Sequence, residues 1–158
     1  MNYPTPEEIL RRLRPIPTYR DHPATSPRDI EGVGPDGSAA TLHVMQSAEP
    51  VLLLFLSADC LGCQDLWQGT PELGRSLPQG VRTVIVTRGP EYEDAGTIAA
   101  LAPGDVTTLM SSSAYDDYRV GGAPFLVVVK DNVVRTEGVA WGIAETVRAT
   151  RQALEGEL

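Results

Sequence analysis

Cys60 and Cys63 are the two cysteines of the 158-residue chain. Two thiols placed by chance in a chain of this length rarely fall three positions apart. The pair is spaced for dithiol chemistry. The apolar run Val51–Leu56 ends four residues before Cys60, and the stretch from Leu61 to about Leu77 has helical spacing at Leu66, Leu73 and Leu77. Cys60 therefore falls at the start of a helix and Cys63 one turn later. Both sulfurs face the same side and are able to close a small disulfide loop. The first thiol meets unpaired backbone N–H groups and the positive end of the helix dipole. These favour the thiolate, which is the form that attacks a disulfide. The second thiol, one turn on, is expected to be more buried and placed to resolve a mixed disulfide.

The elements that must hold this pair follow from pattern. Val51–Leu56 is continuously apolar, as a strand buried on both faces should be. Val81–Thr87 reads as a second such strand, Val106–Met110 as a short third, and Phe125–Val129 with Val133–Glu137 as a hairpin turning at Asp131-Asn132. Gly34–Gly37 signals another hairpin, joining residues 30–33 to Ala40–Val44. Helices are expected over 61–77, with Gly69 and Pro71 interrupting or kinking it. Others are expected over 91–102 with Glu91 and Glu93 in the first turn, over Ser113–Tyr118, and over Ile143–Leu154 with Val147 and Leu154 inward. Strands alternating with helices imply a parallel core, and the terminal hairpin makes the sheet mixed, with helices on both faces.

Two regions are expected, 1–29 and 30–158. The first carries six prolines, at positions 4, 6, 15, 17, 23 and 27. It accommodates one short helix, capped by Thr5 with Pro6 at its first position and Ile9, Leu10 and Leu13 on one face, then a proline-rich extended arm.

The segment "VLLLFLSADCLGC", followed about 60 residues later by "YRVGGAPFLVVV", resembles the thioredoxin-like superfamily. "GPDGSAATLHV" ahead of the cysteine strand and "PEL" behind the cysteines are similar to its TlpA/ResA/MauD-like thiol-disulfide oxidoreductase branch. The resemblance covers residues 30–156. It implies an α/β thioredoxin-like fold with a central mixed sheet, an N-terminal hairpin and helices on both faces. It implies that Cys60 attacks, that Cys63 resolves, and that Pro124 is a cis-proline beside them. The backbone of Ala123 would pair with an extended substrate segment. The implied activity is thiol–disulfide exchange with protein thiols or disulfides, refuelled by an unidentified electron donor. No cofactor is implied beyond the Cys60–Cys63 disulfide. A non-catalytic binding or redox-sensing module on the same fold is the alternative.

This chain departs from that pattern. Asp59 stands where Trp is usual, and a negative charge there raises the neighbouring thiol pKa. Gln64, followed by Asp65, replaces a common basic residue. Leu54 and Leu66 occupy positions where relatives carry carboxylates, and Pro71 comes eight residues after Cys63 rather than five. Asp59 or Asp65 is left to substitute for the missing proton-handling group, or to serve as a solvated cap. A less acidic Cys60, and so a reducing or modest exchanger, is the expectation. Trp67 and Trp141 read as packing bulk, and Tyr115 and Tyr118 as anchors of a short helix under the Pro124 loop.

Other chemistries have little support. The formal net charge of -8 argues against a nucleic-acid phosphate binder. His22 and His43 are too far apart to complete a zinc set with the cysteines, so no metal is expected. No histidine accompanies Ser57 or Ser111–Ser113 as in a hydrolase triad, and no Gly-Lys-Ser/Thr follows the glycines at 32, 34 and 37. A peroxidase loop would need a Thr or Pro lead-in to the first cysteine. No apolar run approaches the ~18 residues of a membrane span, and the N-terminus shows no leader core. As written the chain reads as soluble and cytoplasmic, or as extracytoplasmic if a leader or tether has been removed.

Overall fold

Alternation along the strands sorts their side chains to two sides of a sheet. In β4 (Val51–Phe55), Val51, Leu53 and Phe55 join one apolar cluster while Leu52 and Leu54 join the other, and all five are fully buried. In β5 (Arg82–Thr87), Val84 and Val86 face the first cluster and Ile85 the second. A strand so apolar on both sides must lie in the middle of the sheet and be covered on both faces.

A computed structural model of the chain describes residues 26–155, together with Tyr3, Thr5, Pro6 and the two-residue strand β1 (Tyr19–Arg20). The remaining strands are β2 (Ile30–Val33), β3 (Ala39–Leu42), β6 (Thr107–Met110), β7 (Phe125–Lys130) and β8 (Val133–Val139). They form one eight-stranded mixed sheet ordered β1-β8-β7-β4-β5-β6-β2-β3. β4, β5 and β6 run parallel. β7 lies antiparallel to β4, with Phe55 opposite Phe125, and β8 antiparallel to β7. The β7–β8 turn is made by Asp131 and Asn132, both at positive φ, as a tight hairpin of matching twist requires.

Among the described residues, four helices cover this sheet: α1 (Gln64–Ser76), α2 (Ala95–Leu101), α3 (Ser112–Asp117) and α4 (Ile143–Glu155). Leu66, Trp67 and Leu73 of α1, Ile98 of α2 and Ala149 of α4 pack on the face presented by Leu52, Leu54 and Ile85. Ala114 and Tyr115 of α3 pack on the other. The architecture is the thioredoxin-like fold with helices on both faces. No helix among the described residues is long and apolar enough to cross a membrane.

Several elements differ from the sequence expectation. The helix expected from Leu61 begins as a 3-10 turn, Leu61–Cys63, and continues unbroken as α1 through Gly69 and Pro71. Pro71 removes the N–H that would bond the Trp67 carbonyl. The buried Thr70 hydroxyl covers this turn instead, donating to the Leu66 carbonyl and approaching that of Trp67 at 3.5 Å. The helix expected over 91–102 starts only at Ala95, because Asp94 caps it by accepting from the Thr97 N–H at 2.9 Å. Residues 89–93 instead turn back on Gly89, whose carbonyl accepts from Tyr92 and Glu93 N–H groups. Val147 and Leu154 of α4 do face the core as expected, half-buried against it, while Thr146, Ala149 and Thr150 are the residues of this helix that are buried. Trp141, expected to pack, is 50% exposed. Of the helix expected after Thr5, Pro6 is helical and the remainder lies outside the described residues, as does His22.

Candidate functional site

The site lies where β4 and β5 end and β7 begins. The C-terminal edge of parallel strands is where α/β sheets open a crevice, since the chain must leave each strand there and diverge. β4 delivers the loop Ser57-Ala58-Asp59 and then Cys60. β5 delivers Arg88 and the 89–93 turn. The segment before β7 delivers Gly121, Gly122, Ala123 and Pro124.

Cys60 and Cys63 are joined in a disulfide with their Cα atoms 5.2 Å apart. Cys60 sits in extended conformation immediately before the 3-10 turn, and its carbonyl accepts from the Cys63 N–H at 3.1 Å. Cys60 is half-buried and Cys63 is fully buried, packed among the residues of α1. The two sulfurs thus differ in access, the outer one reachable and the inner one shielded. Trp67 is buried and donates its indole N–H to the Ser57 carbonyl at 3.1 Å, fixing the loop that carries Cys60. That is a packing role.

The Ala123–Pro124 peptide is cis. A Cβ built on Gly62 would stand 3.5 Å from both Cδ and Cγ of Pro124, so the disulfide loop rests on the proline ring. The Pro124 carbonyl in turn accepts from the Ala140 N–H at 3.2 Å, tying this segment to β8. Leu61 (84% exposed) and Trp141 beside Ala140 are exposed apolar side chains on these same loops.

Next to Cys60 opens a cavity of about 330 Å³, lined by Ser57, Asp59, Cys60, Arg88, Glu93, Tyr115 and Gly121–Ala123. Of the site residues expected from sequence, Cys60, Asp59 and Ala123 are brought together here. Gln64 and Asp65 are not, since both lie exposed in the first turn of α1. Beside Asp59, a second carboxylate reaches the cavity, that of Glu93. It was expected in a helical first turn, but the 89–93 turn directs it to the cysteine loop. There its Oε1 accepts from the Ser57 hydroxyl at 2.7 Å and its Oε2 faces the Ala58 N–H at 3.5 Å. Glu91 turns instead to the Ser112 hydroxyl, which lowers its pKa from the ordinary carboxylate value.

Tyr115 forms the floor. Its hydroxyl donates to the Leu56 carbonyl at 3.1 Å, and burial pushes its pKa up, with Arg88 opposing and Glu93 adding to the rise. Its ring meets Phe55 edge-on at 5.1 Å between centroids. Tyr118 anchors the other end of α3 by donating to the Arg28 carbonyl, and burial pushes its phenol up to about 12. Sequence reasoning missed Arg88 and Glu93. Their only signal was position, in the loop that follows a buried parallel strand. No group of His, Cys, Asp and Glu able to hold a metal occurs among the described residues, and His43 is engaged with Asp29 on the surface.

No family model matches the chain, and no curated protein does. Solved structures share its fold. A secreted disulfide oxidoreductase of Mycobacterium tuberculosis, homologous to E. coli DsbE, is 14% identical, with a TM-score of 0.62 over 80% of this chain and 95% of its own. The thioredoxin domain of a thiol-disulfide oxidoreductase from Bacteroides vulgatus is 16% identical, with a TM-score of 0.61 over 84% and 97%. A peroxiredoxin-like protein from Aquifex aeolicus is 13% identical, with a TM-score of 0.61 over 82% and 85%. At such identities the likeness establishes the fold, and the chemistry must be argued from the site.

Proposed function

We propose that the protein is a thiol–disulfide oxidoreductase that exchanges disulfides with protein substrates through Cys60 and Cys63. The observation that carries this reading is the asymmetry of the pair. Cys60 is half-buried at the edge of a cavity, and Cys63 is fully buried one turn behind it. In the dithiol state the Cys60 thiolate attacks a substrate disulfide. A Cys60–substrate bond forms, and the departing substrate sulfur leaves as thiolate and takes up a proton. Cys63 loses its proton and attacks the Cys60 sulfur, which releases the second substrate thiol and leaves the Cys60–Cys63 disulfide. Two electrons have passed to the substrate, and a dithiol donor returns them by the reverse exchange. The electrons travel through the cysteine pair itself, so no bound cofactor is needed.

The remaining site residues act by position. Ala123 presents backbone to an extended substrate segment, and Pro124 supports the disulfide loop through Gly62. Asp59 adjusts the ionisation of Cys60. The thiol–disulfide chemistry in the names of several structural neighbours agrees with this reading.

Insulin reduction by dithiothreitol tests it. The wild type should accelerate precipitation of the insulin B chain, and Cys60→Ser should abolish the acceleration. Cys63→Ser should accumulate mixed disulfides with cellular proteins through Cys60, because nothing remains to resolve them. A wild-type rate no faster than dithiothreitol alone would leave a passive binding or redox-sensing module.

A further inference from the structure

Arg88 has a role that exchange chemistry does not use. It is the first residue after β5 and lines the cavity with Cys60 and Ala123. Its guanidinium carbon lies 4.4 Å from the centroid of the buried Tyr115 ring and 5.7 Å from that of Tyr92. Aromatic faces hold the plane of a guanidinium, and its N–H donors project from the edge. Among the described residues, no ion pair or hydrogen bond uses those donors. The cavity's carboxylates are Asp59 and Glu93, and Glu93 is engaged with Ser57 and Ala58. A half-buried guanidinium set over an aromatic ring, in the cavity that Cys60 also lines, is placed to meet an anion that arrives with the substrate.

We propose that this cavity binds a carboxylate carried next to the substrate's reactive cysteine, with Arg88 as the residue that reads it. The substrate class is an extended peptide with Asp or Glu flanking the disulfide. The volume of about 330 Å³ suits a side chain or two rather than a large ligand. The preference runs against the field of the whole molecule, since a chain with net charge -8 repels acidic partners at long range. An acidic preference, if found, must therefore come from a local cation. The inference rests on the exchange reading for its kinetic arm and is independent of it for its binding arm.

Three disulfide peptides identical except for Glu, Gln or Lys beside the cysteine provide the test. Wild-type kcat/KM should favour Glu over Gln by about tenfold, the scale of one charge-assisted contact in partial solvent, with Lys slowest. In Arg88→Gln the Glu/Gln ratio should fall to about one, while Arg88→Lys should retain part of it. Binding of the same peptides to the Cys60→Ser, Cys63→Ser double variant, which cannot exchange, should show the same order. Equal wild-type kcat/KM for Glu and Gln peptides, or a ratio that survives Arg88→Gln, overturns the proposal. Arg88-dependent binding of the Glu peptide without any peptide reduction would support this site and overturn the exchange reading instead. A carboxylate preference confined to dithiodiglycolate, a small disulfide lacking peptide, would overturn the peptide assignment.

Discussion

Gly69 sits in the middle of α1, where alanine would ordinarily be better, and its environment explains why it is there. A Cβ built on it would stand 2.8 Å from both Cδ1 and Cγ1 of Ile143, the first residue of α4. Carbon pairs pack best at about 3.5–4.0 Å, so α1 and α4 touch through the missing side chain. Gly69→Ala should gain about 1 kcal/mol of helix propensity and lose about 1–3 kcal/mol to overpacking. The net is a destabilisation of about 0–2 kcal/mol, and each kcal/mol lowers Tm by roughly 2–4 °C at this size. Removing Ile143 decides the cause. Ile143→Ala should itself cost less than the ~2–5 kcal/mol of a fully buried isoleucine, because the residue is half-buried. In that background Gly69→Ala should become stabilising by about 1 kcal/mol, a coupling of about 1–3 kcal/mol between the positions. Urea unfolding of the four proteins, with unchanged m-values, measures the cycle. Equal destabilisation by Gly69→Ala in both backgrounds would refute the contact. The cycle bears on function because α1 begins directly after Cys63 and packs it into the core.

Two further outcomes follow from electrostatics. Removing a charge from the cavity should move the thiolate absorbance of reduced Cys60, to lower pH in Glu93→Gln and to higher pH in Arg88→Gln; a midpoint unchanged in both variants would contradict that balance of charges. Asp29 accepts from the Met45 N–H at 2.8 Å and the Val44 N–H at 2.9 Å. These bonds, led by Met45, hold its pKa below the ordinary aspartate value against partial desolvation, with His43 adding to them. The folded state therefore binds this proton less readily than the unfolded one. The stabilisation is complete above the ordinary value of about 4 and is lost as pH falls through the depressed one. Urea midpoints should drop over that acid range in the wild type, and the drop should be shallower in Asp29→Asn; parallel pH profiles would show that the carboxylate contributes nothing.

What was legible in the sequence is what local pattern encodes. The runs Val51–Leu56 and Phe125–Val129 read as central strands because a strand covered on both faces needs apolar residues at successive positions. The Asp131-Asn132 turn fixes the last hairpin because few residues accept two successive positive φ angles. Cys60 and Cys63 declare themselves by spacing. Pro71 misled because its helical cost is read locally, while the compensating Thr70 hydroxyl is visible only once the helix exists. Trp141 misled because its size predicts burial, whereas its position after Ala140 leaves it at the surface of the cis-peptide segment.

Glu93 and Arg88 show a different kind of illegibility. Each was plain in the sequence as a charged residue, but its partner was not, because Ser57 lies 36 positions before Glu93. The parallel pairing of β4 with β5 brings these loops to one edge, and two small local events then aim the side chains. Asp94 takes the helix cap, which frees 89–93 to turn back on Gly89 and turns Glu93 toward the cysteine loop. α3 places the Tyr115 ring under Arg88, with the guanidinium carbon 4.4 Å from its centroid. A relative with the same cysteine spacing but a helix starting at the position of Glu91 would lose this carboxylate from the cavity. The charge around the outer sulfur is therefore set by where α2 begins as much as by the residues between the cysteines. Moving that cap is a route to a different thiol on an unchanged fold.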